Sequence, residues 1–309
     1  MAFAFLFPGQ GSQSLKMMDG FADLPVVQHT FEEASDTLSL DLWAMLQADS
    51  ADAINATVNT QPIMLAAGYA TYLAWQELNG RQPSIVAGHS LGEYTALVAS
   101  GALPFAEAVR LVRLRAEAMQ AAVPAGAGAM AAIINLPDDD IRAACKEAAQ
   151  GEVVEAVNFN SPGQVVIAGN RGAVERAMEA CKAKGAKRAL PLPVSVPSHC
   201  SLMRPAAERL AEALRDVHLN APAIPVLHNA DVASYADAGQ IRDALTRQLY
   251  MPVRWTETIQ KLAADGVAMM AECGPGKVLT GLAKRIDGNV RCLALTDRAA
   301  LEAAREELV

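Results

Sequence analysis

A chain of 309 residues, 52% of them hydrophobic, is long enough for one large core or for a core carrying an inserted module. The formal net charge of −8 argues against nonspecific nucleic-acid binding, and no apolar run reaches the roughly 20 residues a membrane helix needs. Five cysteines (Cys145, Cys181, Cys200, Cys273 and Cys292) are odd in number, scattered and without a CxxC pair, which argues against a disulfide framework or zinc site and fits a reducing cytosol.

The opening "AFAFLFP" reads as a buried strand ending in a Pro-Gly turn; it is too short, and lacks the basic start, for a signal peptide. Apolar residues at helical spacing run through "LPVVQHTFEEASDTLSLDLWAMLQ". "NTQPIMLAAGYATYLAWQELN" predicts a stronger helix, with an Asn or Thr start and a proline in its first turn. "PSIVAGHS" is a short buried strand, "LGEYTALVAS" a helix directly after it, and "PFAEAVRLVRLRAEAMQAAV" a long amphipathic helix.

At Pro124 the texture changes. "AGAGAMAAIINL", "VVEAVNFN", "GQVVIAGN" and "AKRALPLPV" read as strands, with helices "PDDDIRAACKEAAQ" after the first and "RGAVERAMEACKAKG" before the last. This β-α-β-β-α-β order predicts a ferredoxin-like module. Helices and strands then alternate again: "SLMRPAAERLAEALRDV", strand "IPVLHN", a helix within "GQIRDALTRQLYMPVRW", "WTETIQKLAADG", strand "VAMMAECG" and "KVLTGLAKRI", beyond which no element is assigned. The expected architecture is α/β: a mainly parallel sheet covered by helices, formed by 1–123 and 196–309, with 124–195 inserted as a small subdomain.

Two Gly-rich pieces do not bind nucleotides. "FPGQGSQ" has Ser14 where a dinucleotide fingerprint needs a third small residue of the Gly or Ala class, and "GPGKVLT" has Ala271 and Val278 where a phosphate loop needs Gly and Ser or Thr. The sharper signal is Gly88-x-Ser90-x-Gly92, set between a strand and a helix. It fits a nucleophile elbow, in which the serine is forced out of a tight turn and the N–H of Leu91 is placed to stabilise an oxyanion. The competing reading is a serine that merely caps the helix. A serine nucleophile needs a base. Of His29, His89, His199, His218 and His228, position favours His199, in a loop before a helix, with His228 at a strand end as runner-up; the side chain of His89 should point away from that of Ser90.

"FPGQGSQ", "NTQP", "GHSLGEY", "VPSH" and "ECGPGKVLTGL" occur in this order. With them the chain closely resembles the bacterial malonyl-CoA:acyl carrier protein transacylases of type II fatty acid synthesis, over nearly its entire length and including the small module. The resemblance implies an α/β-hydrolase-like acyltransferase core. It implies that Ser90 is the acylated nucleophile, that His199 is its base and then the acid for the leaving thiolate, and that the backbone N–H groups of Gln10 and Leu91 form the oxyanion hole. Arg115 matches the arginine that binds the malonyl carboxylate, although by itself it reads as a solvated residue on an amphipathic helix. Gln248 matches a residue of the substrate site that orients the histidine through a main-chain carbonyl, and Gln61 and Asn160 match pocket-lining residues. Ser198 and Leu91 resemble malonyl-selective members more than the branched-extender enzymes of polyketide synthesis.

The implied activity is malonyl transfer from malonyl-CoA to the phosphopantetheine thiol of acyl carrier protein through a malonyl-serine, with ping-pong kinetics, in a cytoplasmic monomer without metal or cofactor and without nucleic-acid or membrane partners. The alternatives are a stand-alone malonyltransferase of a polyketide pathway, a serine hydrolase or thioesterase using His228, and a carrier-docking module with a vestigial site. Lys182, Lys184, Lys187, Arg188, Lys284 and Arg285 are candidates for meeting an acidic carrier.

Overall fold

The alternating phenylalanines at the start of the chain form a strand, Phe3–Phe7 (β1), in which every residue is buried. Such a strand needs cover on both faces, and a parallel sheet clad in helices supplies it. The computed structural model describes residues 2–194 and 196–308. Among these, the further strands are β2 (Ile85–Gly88), β3 (Gly128–Ile134), β4 (Val154–Ser161), β5 (Gln164–Asn170), β6 (Arg188–Pro191), β7 (Val226–Leu227), β8 (Met269–Glu272) and β9 (Arg291–Ala294). The order β7-β2-β1-β8-β9 makes one sheet, parallel throughout. Alternation along β1 decides what each face meets. Phe5 lies edge-on to Tyr72 and Trp75 of the helix Thr57–Glu77, and Ala4 and Leu6 join Trp255, Ile259 and Leu279 on the other face.

A second sheet, β4-β5-β3-β6, is antiparallel. The helices Asp138–Ala149 and Arg171–Ala183 cover one face of it, closing a separate core around Ile133, Ile141, Val165, Ile167 and Val174. Its other face turns Met130, Val157, Val166 and Ala168 toward Cys200 and Leu202 of the larger layer. One strap ties the two together: the N–H of Val253 donates to the carbonyl of Val157 (2.8 Å), and the N–H of Phe159 to the carbonyl of Val253 (3.0 Å). The expected fold class, a helix-covered parallel sheet with a ferredoxin-like subdomain, is thus present. The expected limit between core and module falls at Ser195, which lies outside the described residues, as do the terminal Met1 and Val309.

Two local features extend the expectations and one, the place of Pro62, corrects them. The apolar pattern over 24–47 is two helices, Pro25–Leu38 and Leu42–Leu46, because Ser39 takes a left-handed conformation (φ 53°) and Asp41 caps the second helix by accepting from the N–H of Ala44. The next long helix begins at Thr57, so Pro62 stands in its interior and not in its first turn. A proline there frees the carbonyl four residues earlier; that carbonyl, of Val58, accepts instead from Arg113 (3.2 Å). Finally, β9 and the helix Arg298–Glu307 lie beyond the last element read from the sequence. β9 is a short edge strand, half-buried, without the apolar run that marks the inner strands. All five cysteines are free thiols, and among the described residues no helix is long and apolar enough to cross a membrane.

Candidate active site

β2 ends at Gly88 and a helix starts at Gly92, so the chain must reverse within three residues. A Cβ at Gly88 would sit 1.9 Å from the carbonyl of Gly92, and one at Gly92 would sit 2.0 Å from the carbonyl oxygen of Phe7; only hydrogen fits at either position. Between them Ser90 is held at φ 52°. A non-glycine residue in this region costs about 1–3 kcal/mol and persists only where its surroundings impose it. Here the N–H of Ser90 donates to Oδ1 of Asn229 (2.7 Å), whose Nδ2 donates to the carbonyl of Gly88 (2.6 Å). Asn229 follows β7, the strand beside β2, and so clamps the turn from its flank.

The hydroxyl of Ser90 donates to Nε2 of His199 (2.7 Å). His199 is also at positive φ (66°), and its Nδ1–H donates to the main-chain carbonyl of Gln248 (2.7 Å) while its own N–H donates to the carbonyl of Leu249 (3.0 Å). The tautomer is thereby set: the proton sits on Nδ1 and the lone pair of Nε2 faces the serine. Arg115 is buried (1% exposed). Its Nη2 donates to Ser90 Oγ (3.3 Å) and Gln248 Oε1 (3.1 Å), and its Nη1 to Gln61 Oε1 (2.8 Å). Ser90, Leu91, Gln10, Gln61, Arg115, Met119 and His199 line one pocket, whose opposite wall is Met130, Asn158, Leu192 and Val194. Among the described residues, neither the N–H of Gln10 nor that of Leu91 meets a protein acceptor.

Burial is the main electrostatic influence. It lowers the pKa of His199 from 6.5 to about 3, helped by the positive charge of Arg115, and it lowers that of Arg115 as well, whose guanidinium nonetheless remains a cation. His199 is therefore neutral, and able to accept a proton, over the whole physiological range. We expect the acid limb of the acylation rate, followed by rapid-quench against pH, to lie well below 6.5; a limb at 6.5 would place the base in an ordinary aqueous setting. Because the folded value lies below the unfolded one, His199 adds stability that is complete above about 6.5 and lost as pH falls toward about 3.

The structure thus brings Ser90, Leu91, Gln10, Gln61, Arg115, His199 and Gln248 to one place. It does not bring Asn160 to the pocket wall in the manner expected: Oδ1 of Asn160 is 2.8 Å from Nε2 of His89, which ties β4 to the elbow, and Asn158 lines the pocket instead. His228 lies away from Ser90, with Nδ1 bonded to Oε1 of Glu93 (2.8 Å). Asn229, Glu93, Asn158 and Met119 escaped the sequence reading. The first two carried a signal, an asparagine at the end of a strand and a carboxyl group in the first turn of the elbow helix; the other two carried none.

The family described as "Acyl transferase domain" matches residues 4–288. The malonyl CoA-acyl carrier protein transacylase of Escherichia coli is 57% identical over 305 residues, covering 98% of this chain and 99% of the relative. That of Bacillus subtilis is 43% identical over 307 residues, covering 99% and 96%. The solved acyl-carrier-protein S-malonyltransferase of Burkholderia pseudomallei superposes with a TM-score of 0.97 at 57% identity, over 99% of this chain and 100% of that one. A malonyl-transacylase solved in complex with a type II polyketide acyl-carrier protein superposes with a TM-score of 0.98 at 55% identity, again over 99% and 100%. With the elbow, the buried arginine and these likenesses over its whole length, the chain belongs to the acyl transferase family, among the malonyl CoA-acyl carrier protein transacylases.

Proposed function

We propose that the protein transfers a malonyl group from malonyl-CoA to the phosphopantetheine thiol of acyl carrier protein in two steps, through a malonyl ester on Ser90. The observation that carries this reading is the convergence of three groups in one pocket: Ser90 Oγ, Nε2 of His199 at 2.7 Å and the guanidinium of Arg115 at 3.3 Å. In the first step His199 takes the hydroxyl proton as Oγ attacks the thioester carbon. The N–H groups of Leu91 and Gln10 receive the oxyanion, the C–S bond breaks, and the proton on His199 goes to the departing coenzyme A thiolate. In the second, His199 takes the proton of the incoming thiol, the sulfur attacks the ester carbon, and Ser90 leaves with that proton. The two thioesters are close in energy, so the ester provides a route and not a driving force.

Arg115 reads the substrate by its free carboxylate, and Gln61 and Gln248 hold the guanidinium flat against the pocket floor. The carrier is an acidic protein that meets a local basic surface. Lys187, Arg188, Lys284 and Arg285 are exposed, whereas Lys182 and Lys184 are already paired with Glu179 and Glu147. The protein acts in the cytoplasm as a monomer. A second reading, transfer to a polyketide carrier, is supported by the 55% identical relative solved with such a carrier. The test is to run the half-reactions separately. Intact mass after malonyl-CoA should show one malonyl adduct mapping to Ser90, discharged on adding a pantetheinylated carrier; discharge rates with carriers of each class separate the two pathways. Release of free malonate at the rate of coenzyme A release would instead identify a hydrolase.

A further inference from the structure

We propose that Glu93 is a positioning residue for the reaction: through Gln248 and Asn229 it holds the carboxylate-reading side of the pocket in register with the nucleophile. Glu93 stands in the first turn of the elbow helix, where an acidic residue ordinarily faces solvent near the helix N-terminus. Here it is fully buried. Burying a carboxyl group is costly unless its oxygens are bonded, and two of the three partners that bond this one, Asn229 and Gln248, lead to the reaction centre. Oε2 accepts from the main-chain N–H of Asn229 (2.9 Å) and from Nε2 of Gln248 (3.0 Å), and Oε1 lies 2.8 Å from Nδ1 of His228.

The two routes diverge from one oxygen. Asn229 holds the N–H of Ser90 and the carbonyl of Gly88, the two sides of the strained turn. Gln248 has its Nε2 hydrogens shared between Glu93 and the carbonyl of Ser90 (2.9 Å), so its Oε1 must face the other way, toward Nη2 of Arg115. An amide oxygen and an amide nitrogen have nearly the same shape; only the donors and acceptors around them decide which points where. Glu93 supplies one of the two acceptors that set this sense. With the amide reversed, its NH2 group would face the guanidinium, donor against donor, and Arg115 would lose its place against the pocket floor. The main-chain carbonyl of the same glutamine carries His199. The preference for a carboxylated acyl group thus depends on a residue that never touches substrate.

The inference rests on the reading of Arg115 as partner of the malonyl carboxylate. It is tested with Glu93→Gln and Glu93→Met, each verified as folded by circular dichroism and thermal melting. Glutamine keeps the two bonds that carry the argument: its oxygen can accept from the N–H of Asn229 and from Nε2 of Gln248. Glu93→Gln is expected to retain the malonyl-to-acetyl preference, measured as the ratio of kcat/KM values, within about threefold. Glu93→Met, similar in size but without an acceptor, is expected to lower that ratio by about 10- to 100-fold, the scale of a small misplacement of a substrate-orienting group. A general loss of stability would lower both rates and leave the ratio alone. A folded Glu93→Met protein with unchanged preference overturns the proposal, as does a Glu93→Gln protein as impaired as Glu93→Met. If Glu93→Met does not fold, Gln248→Met, which keeps the main-chain carbonyl on His199 and removes the amide, must lower the ratio; retention overturns the proposal. Should Arg115→Ala itself leave the preference unchanged, the underlying reading fails whatever Glu93 does; should it collapse the preference while Glu93→Met does not, only the role of Glu93 fails.

Discussion

Replacing Ser90 by alanine is expected to abolish the covalent adduct with malonyl-CoA and to lower transfer by about 10⁴-fold or more, on the scale of nucleophile deletions in enzymes whose catalytic groups act as a unit. In the proposed reading Ser90 is the acyl carrier because its hydroxyl, in the pocket, lies 2.7 Å from Nε2 of His199. His199→Ala should be nearly as severe, since a serine hydroxyl is a weak nucleophile without a base 2.7 Å away. The two losses should not add: once either partner is gone, the other has nothing left to do. A malonyl group persisting on the alanine variant, as read by intact mass, would move the nucleophile elsewhere. A His228→Ala variant that lost acylation while His199→Ala kept it would move the base; its ring is bonded to Glu93 and not to the serine.

Arg115→Ala is expected to reduce the malonyl-to-acetyl preference by about 10²- to 10⁴-fold, because two charge-assisted hydrogen bonds of about 1.5–3 kcal/mol each are lost for malonyl and none for acetyl. The effect has a second component. In the native pocket an acetyl group leaves the buried cation without a carboxylate, which penalises the wrong substrate; the alanine variant removes that penalty, so acetyl transfer should rise relative to malonyl. Arg115→Lys should fall between the two, retaining the charge but not the paired donors in one plane. The measurement is acylation by malonyl-CoA and acetyl-CoA in parallel. An unchanged ratio would leave the guanidinium with a purely structural task, holding Gln61 and Gln248.

The helix that carries this arginine shows how a local pattern can be right and still mislead. Arg110, Arg113 and Arg115 stand close together on an amphipathic helix, and the simplest expectation for each is a solvated side chain. Arg110 meets that expectation, while Arg113 reaches back to the carbonyl freed by Pro62 and Arg115 is fully enclosed. Periodicity assigns faces to a helix; it does not say that one face ends at a polar pocket beneath a neighbouring layer. The same limit applies to Asn160, which binds His89 and so joins the small sheet to the elbow, a contact between segments that no local pattern connects. It also applies to β9, whose place at the sheet edge comes from pairing with β8 and not from its own hydrophobicity.

What the sequence determined unaided is what neighbouring residues impose on one another. The buried strands, the ferredoxin-like order of the module and the tight turn at Gly88–Gly92 all follow from side-chain alternation and from clashes within a few residues. Position favours His199 over His228, and the resemblance implies the parts of Arg115 and of the Gln248 main-chain carbonyl. Only the folded chain shows His199 within 2.7 Å of a serine 109 positions away, Arg115 turned inward, and that carbonyl 2.7 Å from the ring. These are distances between atoms on separate elements. They are decided by how the parallel sheet, its helices and the inserted layer close over one another, and that closure depends on burial summed across the whole molecule.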